Sequence, residues 1–160
     1  MKLDVVCNDI LTQAFCGCGG GRIAAVASEE DADVRTCRDI TDSISITTGE
    51  YVAVFDPLDG SKNVDSSLPV GTIFGIYKWK DIPPAGLKTV LQRGMHMVAS
   101  GYCLYSATTV LVMTMGDGVH GFTLDPDRGG KFFVLTVRSG IGGCVVWKVS
   151  CCVSSNVLEV

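Results

Sequence analysis

Short apolar runs separated by polar or glycine-rich breaks dominate the chain. Residues 3–15 carry apolar side chains at helical spacing, which predicts an amphipathic helix. Its apolar positions fall near one stripe: Leu3, Val6, Ile10 and Leu11. The glycine-rich residues 16–22 end the helix, because a run of glycines does not hold a helical backbone.

Strands are predicted over residues 23–31, where an apolar run ends in the acidic "EED", and over residues 50–56 and 70–79. The polar residues 32–48 predict an irregular surface loop between the first two. Two further runs flank the turn-forming residues 125–130 and predict a hairpin. The overall pattern is therefore mixed, with strands dominant after residue 50.

Residues 97–116 form an uncharged run of twenty, long enough to span a membrane as a helix. Serine, threonine and a central glycine interrupt the run, and no basic cluster flanks it. Its β-branched part, "TTVLVMT", is typical of a strand buried on both faces. We therefore predict one or two core strands here.

Composition narrows the class of protein. The chain has 160 residues, 47% of them hydrophobic, which suits a single domain with a real core. A net charge of −4 gives no basic surface for nucleic acid and no polybasic segment for a membrane, so we expect neither partner. The eight cysteines form no C-x-x-C pair, and no secretory leader opens the chain, so reduced thiols are expected.

The segment "VFDPLDGSKNVD" carries the strongest chemical signal. Asp56 ends an apolar strand, Pro57 prevents that strand from continuing unchanged, and Gly60 permits a tight turn. A short helix beginning after Gly60 would point amides at an anion. Asp56 and Asp59 would repel a phosphate unless a hard cation such as Mg²⁺ lay between them. The segment therefore predicts a site for metal and phosphate together.

A second acidic group, "SEED", follows the apolar run that ends at Ser28. Two strand ends tipped with carboxylates could converge on one or two metal ions, which would activate water and stabilise a leaving oxygen. The alternative is that Asp56-Pro57 is a simple turn and the "EED" residues are a solvated loop.

Longer motifs carry a family resemblance. "KLDVVCND", "SEED", "GEYVAVFDPLDGS", "VGTIFGIYK", "LQRG", "VASGYCLYSATTVLVMTMGDGVHGFTLDP" and "KFFVLT" together resemble class I fructose-1,6-bisphosphatase, over most of residues 2–136. That family belongs to a metal-dependent phosphatase superfamily that includes the inositol monophosphatases. Asn63 favours the fructose enzyme over the related sedoheptulose-1,7-bisphosphatase, which stays an alternative.

The resemblance implies an α+β fold, a layered sandwich of the sugar-phosphatase type, of which residues 1–136 form the N-terminal half. It also implies a mixed or antiparallel sheet with flanking helices. Residues 137–160 do not resemble the family, and we expect an unrelated or irregular tail from a retained intron or an incomplete gene model. The missing half would expose apolar sheet surface, so we expect the chain to associate.

The resemblance also implies an activity: Mg²⁺-dependent hydrolysis of the 1-phosphate of fructose 1,6-bisphosphate, in gluconeogenesis or the Calvin cycle, with Mn²⁺ as a possible substitute. A homotetramer in the cytoplasm is implied, with the plastid stroma as the alternative compartment. The competing hypothesis is a truncated, non-catalytic paralogue that lacks the substrate-binding half.

Site residues are implied position by position. The metal ligands are the side chains of Glu29, Asp56 and Asp59 and the backbone carbonyl of Leu58. The catalytic acidic residues are Asp4, Glu29 and Glu30. The transferred phosphate is held by Asp59, Gly60, Ser61 and Lys62. Lys62 stands where the family usually has serine.

Overall fold

The computed structural model describes residues 2–18, 21–41, 49–79, 90–127 and 130–138. The helical elements in these ranges are α1 (Leu3–Gln13), a π-helical turn (Ala14–Cys18), α2 (Cys37–Thr41) and two 3₁₀ segments, Ser61–Ser66 and Gly94–His96. The strands are β1 (Ile23–Ser28), β2 (Arg35–Thr36), β3 (Tyr51–Asp59), β4 (Val70–Lys78), β5 (Met97–Tyr105), β6 (Val110–Thr114), β7 (Val119–Asp125) and β8 (Lys131–Arg138).

These strands form one sheet in the order β2-β1-β3-β4-β5-β6-β7-β8. The pairing of β1 with β3 is parallel, whereas every other neighbouring pair in the sheet is antiparallel. The predicted mixed sheet with flanking helices is therefore confirmed, as is the hairpin of β7 and β8. The strands predicted over residues 23–31, 50–56 and 70–79 are also present, although β1 ends at Ser28, before the acidic residues, and β3 continues through Pro57 to Asp59.

The core lies on both faces of the central strands, since successive side chains of a strand point to opposite faces. On the helical face, Val26, Ala53 and Phe55 are buried against Leu11 and Phe15. The rings of Phe15 and Phe55 lie 5.3 Å apart, a tilted pair of the kind worth about 0.5–1.5 kcal/mol beyond burial. On the opposite face, the buried cluster consists of Ala25, Val52 and Tyr77.

Helix α1 forms where predicted, but only part of its apolar stripe faces the core: Leu11 packs against the buried cluster. Leu3 and Ile10 are about half exposed, at 49% and 51%. The buried residues of α1 are instead Asn8 and Thr12. The helix packs partly against a polar turn, so its most buried positions include side chains that can hydrogen-bond rather than only apolar ones.

The predicted irregular loop at residues 32–48 is also partly wrong. It contains β2 and α2, and its residues 42–48 lie outside the described ranges. Cys37 at the start of α2 forms a disulfide with Cys16, with 4.9 Å between the Cα atoms. The expectation of reduced thiols therefore fails for this pair, because the fold brings two distant cysteines together. Cys7 and Cys103 are free thiols.

The uncharged run at residues 97–116 forms β5 and β6, as predicted. No helix in the described ranges is long and apolar enough to cross a membrane. The prediction that these strands are buried on both faces is wrong: β6 is half-buried throughout, and several β5 side chains are exposed. No described segment covers these strands well enough to bury them. Residues 80–89, and residues 139–160 of the tail, lie outside the described ranges.

Gly101 in β5 provides a test of the packing between the central strands. A Cβ atom at this position would meet the backbone oxygen of Val112, and would lie 2.9 Å from Phe74 Cζ and 2.9 Å from Met113 Cβ. We expect Gly101→Ala to lower the free energy of unfolding by about 1–3 kcal/mol, as overpacking does elsewhere. Chemical denaturation measures the change.

The matched control is Gly94→Ala, where the added Cβ would meet nothing within 4 Å. We expect a change within about 0.5 kcal/mol for this exposed site. Equal stability of the two variants would contradict the close approach of β5 to β4 and β6.

Candidate functional site

The two acidic segments meet at one edge of the sheet. Because β1 and β3 run parallel, the C-terminal end of β1 lies beside the last part of β3, with Ser28 opposite Phe55. The amide of Glu29 donates a hydrogen bond of 3.0 Å to the carbonyl oxygen of Phe55. Glu29 and Asp56, the first acidic residue on each strand end, are thus held next to each other by backbone pairing.

A tight turn fixes the "SEED" group. The Asp31 amide donates to the Ser28 carbonyl at 3.3 Å, and the Glu30 amide donates to the Ser28 hydroxyl at 3.3 Å. Asn8 of α1 donates from its side-chain amide to Asp31 Oδ1 at 3.1 Å. Asp4 lies four positions before Asn8, so both occupy the same side of the helix. The Asn8 contact therefore brings Asp4 toward the acidic turn.

A contact within the last part of β3 orients Asp56, and a turn at Gly60 follows the strand. One carboxylate oxygen of Asp56 accepts a hydrogen bond of 3.0 Å from the Leu58 amide, which leaves its other oxygen available for a cation. Gly60 adopts a left-handed backbone with φ of +76°, and the Asn63 amide closes the turn on the Gly60 carbonyl at 2.7 Å. The predicted short helix follows as a 3₁₀ segment. It begins with a half-buried Ser61 and an exposed Lys62.

Desolvation and the negative charges of neighbouring carboxylates raise the pKa values of Asp56 and Glu30. Burial raises the pKa of Asp56, as do the negative charges of Asp59, Glu29 and Asp4, while the Leu58 amide lowers it. The pKa of Glu30 is raised by desolvation, by the negative charges of Glu29, Asp4 and Asp56, and by the hydrogen bond that its protonated form can give to Glu29.

This donor set fits a hard divalent cation, since carboxylate oxygens are the ligands that Mg²⁺ prefers and a cation would relieve the repulsion that raises these pKa values. In the described ranges, no three Asp, Glu, His or Cys side chains already surround one point closely enough to hold an ion. Glu29 and Asp59 are exposed, so their side chains have room to rotate toward a bound ion.

Most of the predicted site residues lie in one neighbourhood. The side chains of Asp4, Glu29, Glu30, Asp56 and Asp59 interact electrostatically, and Leu58, Gly60, Ser61 and Lys62 follow directly on the same turn. Asn8 is a further residue of this neighbourhood that the sequence analysis does not predict. Its position one helical turn after Asp4 could have indicated it, because that spacing puts an amide beside a predicted acidic residue.

Comparison with known proteins identifies the family. The profile described as "Fructose-1-6-bisphosphatase, N-terminal domain" matches residues 1–137 of the chain. This chain belongs to the fructose-1,6-bisphosphatase family. The cytosolic fructose-1,6-bisphosphatase of Spinacia oleracea is 47% identical over 128 residues, which are 80% of this chain and 35% of that protein. The Brassica napus cytosolic enzyme is 45% identical over 135 residues, covering 84% of this chain and 37% of that protein.

A solved fructose-1,6-bisphosphatase shares the fold. The crystal structure of the Leishmania major enzyme in holo form superposes with a TM-score of 0.72 at 33% identity. The match covers 85% of this chain and 42% of that one. The chain thus spans little more than a third of the curated fructose-1,6-bisphosphatases that it matches, and its match to the family includes both acidic turns.

The raised pKa of Asp56 makes stability depend on pH. A carboxyl with a raised folded-state pKa stabilises the fold below its unfolded pKa, and this stabilisation is lost as pH rises through the folded pKa. We therefore expect Asp56→Asn to raise the melting temperature of the metal-free protein at pH 7, by a few degrees at most. The advantage should shrink toward pH 4. Thermal unfolding in a chelating buffer measures both.

Asp127→Asn is the control, because Asp127 is an exposed carboxylate in the turn after β7. It should leave the pH profile unchanged. A metal-free Asp56→Asn protein that is less stable than the wild type at pH 7 would contradict charge repulsion in the acidic cluster.

Proposed function

We propose that this chain binds Mg²⁺ between the β1 and β3 strand ends and takes part in hydrolysis of the 1-phosphate of fructose 1,6-bisphosphate, giving fructose 6-phosphate and phosphate. One observation carries the proposal: parallel strand pairing places two acidic turns side by side, directly before the Gly60 turn. Carboxylates and a phosphate share a site only when a cation neutralises both.

The ligands of the proposed metal are Glu29, Asp56, Asp59 and the carbonyl of Leu58. When bound, Mg²⁺ would neutralise phosphate charge and make an attacking water more acidic. The Leu58 amide holds the Asp56 carboxylate in one orientation, so less ordering is needed when an ion arrives. Mn²⁺ has similar ligand preferences and is the natural substitute.

In this proposal, acidic side chains transfer the proton, and the turn after Asp59 binds the phosphate. Glu29 and Glu30 are neighbouring carboxylates and the pKa of Glu30 is raised, so this pair is suited to take a proton from water, with Asp4 adding negative charge beside it. Gly60 has no side chain, so the backbone can approach a phosphate closely. Ser61 could donate its hydroxyl and Lys62 its ammonium group to phosphate oxygens.

A second candidate is a non-catalytic module that binds metal without turnover on its own. An open cavity of about 660 Å³ lies beside Glu29 and Asp56, lined by apolar side chains including Ile73, Met97 and Tyr102. Those three are 38–47% exposed. The chain spans 35% of the spinach relative, so groups that hold the rest of a sugar bisphosphate are expected from sequence beyond this match.

The proposed substrate, compartment and pathway are taken from the names of the matched relatives. The matched curated enzymes are named cytosolic fructose-1,6-bisphosphatases, which favours the cytoplasm over the plastid stroma and gluconeogenesis over the Calvin cycle. Sedoheptulose 1,7-bisphosphate is the alternative substrate. Assembly as a homotetramer is proposed from the family alone.

Phosphate release tests the enzyme proposal. With Mg²⁺ and fructose 1,6-bisphosphate, we expect turnover that a chelator abolishes. Asp59→Asn should lower kcat/KM by about 100-fold or more, because it removes the charge of a proposed ligand. Asp127→Asn is the matched control and should retain activity.

Measuring Mg²⁺ binding by calorimetry on the same samples separates the two candidates. Binding without phosphate release would favour the non-catalytic module. If the protein shows no Mg²⁺ binding and no phosphate release, both candidates are ruled out. Phosphate release that persists in Asp59→Asn would contradict the assignment of Asp59 as a ligand.

A further inference from the structure

The pairing of β3 with β4 is irregular between Asp56 and Asp59, two of the proposed metal ligands. Asp56 pairs with Ile73 and Asp59 pairs with Gly71, so Pro57 and Leu58 together stand opposite Thr72 alone. This is a β-bulge, a feature that often re-aims side chains beside active sites. Pro57 has no N–H to give to the ladder, so the backbone alone cannot fix this part of β3.

Thr72 instead contacts the bulge through its side chain. It is 5% exposed, and its hydroxyl donates a hydrogen bond of 2.9 Å to the carbonyl oxygen of Pro57. The Tyr105 hydroxyl lies 2.8 Å from the same Thr72 oxygen. A threonine hydroxyl has one proton, and the carbonyl can only accept. Tyr105 must therefore donate to Thr72, which gives a directed chain from Tyr105 through Thr72 to Pro57.

The other end of the same peptide group holds Asp56. The Pro57 carbonyl and the Leu58 amide belong to one planar unit, and the Leu58 amide donates to Asp56 Oδ1 at 3.0 Å. Rotation of this plane would break the contact with Thr72 and the contact with Asp56 together. The hydrogen bonds also polarise one another when they run in one direction.

We propose that Thr72, supported by Tyr105, is a positioning residue that fixes the Pro57–Leu58 peptide and thereby aims the Asp56 carboxylate at a divalent cation. The consequence for metal affinity rests on the proposed function, whereas the fixing of the peptide does not. Thr72 does not touch the cation. It acts through one peptide group and one carboxylate.

Hydrogen exchange of the Leu58 amide, followed by NMR in metal-free protein, tests the positioning directly. We expect Thr72→Val to speed exchange about tenfold, because it leaves the buried Pro57 carbonyl without its donor. Thr72→Ser keeps the hydroxyl and should restore exchange to within about twofold of the wild type. Thr123→Val, the same change on β7, should leave the Leu58 rate unaltered.

Tyr105→Phe provides an independent arm should Thr72→Val not fold. It removes the donor to Thr72 while keeping the ring, and we expect about threefold faster exchange at Leu58. Tyr51→Phe, at the far end of β3, is its control. Unchanged Leu58 exchange in folded Thr72→Val, or in Tyr105→Phe where the first does not fold, would overturn the proposal.

Mn²⁺ titration, read by electron paramagnetic resonance, tests the consequence for the site. The dissociation constant should rise about tenfold in Thr72→Val and stay within about twofold in Thr72→Ser. Equal affinity of the wild type and Thr72→Val would overturn the link to the cation. A wild type that binds no Mn²⁺ would refute the proposed function and with it that link, while the exchange experiment would still decide the positioning.

Discussion

The parallel pairing of β1 with β3 is the contact on which the acidic site depends. Every other neighbouring pair in the described sheet is antiparallel, and an antiparallel pair would place these two strand ends at opposite edges. The hydrogen bond from Glu29 to Phe55 extends the pairing one residue beyond β1, into the first acidic turn. Helix α1 then closes the group from one side through Asn8 and Asp31.

The cluster is electrostatically unfavourable without a partner. Burial and like charges raise the pKa of Asp56. Arg35, 3.7 Å from Asp31, pairs with the flank of the cluster and is itself well exposed. Such a local cost is typical of functional sites, where binding of the correct ion repays it.

Much of this site follows from the sequence, because its main elements are local. Apolar runs that stop at Ser28 and Phe55 predict two strand ends with acidic tips, and Pro57 and Gly60 predict the turn after the second. Contacts between distant segments are not local and were missed. The Cys16–Cys37 pairing is one choice among many for eight cysteines, and only the fold selects it.

Thr72 shows why the remainder could not be predicted. In "VGTIFGIYK" it is a typical β-branched strand residue, and nothing in that pattern indicates a role. Its function as a donor arises from the bulge opposite, which depends on how Pro57 is accommodated in β3. The buried side of α1 differs from the predicted one for a related reason: Asn8 contacts Asp31, which lies 23 residues away in sequence.

The disulfide constrains one part of the acidic cluster covalently and leaves the other parts unconstrained. Cys16 and Cys37 are 21 positions apart, and the closed ring they form contains β1 and the whole turn with Glu29 and Glu30. Asp4 and Asp56 lie outside this ring. One arm of the acidic cluster is therefore tethered in the unfolded chain as well as in the folded one, while the other arms are joined to it only by non-covalent contacts. Reduction of the disulfide should thus loosen only the arm with Glu29 and Glu30, whereas the proposed metal ion, with ligands on both arms, would join them.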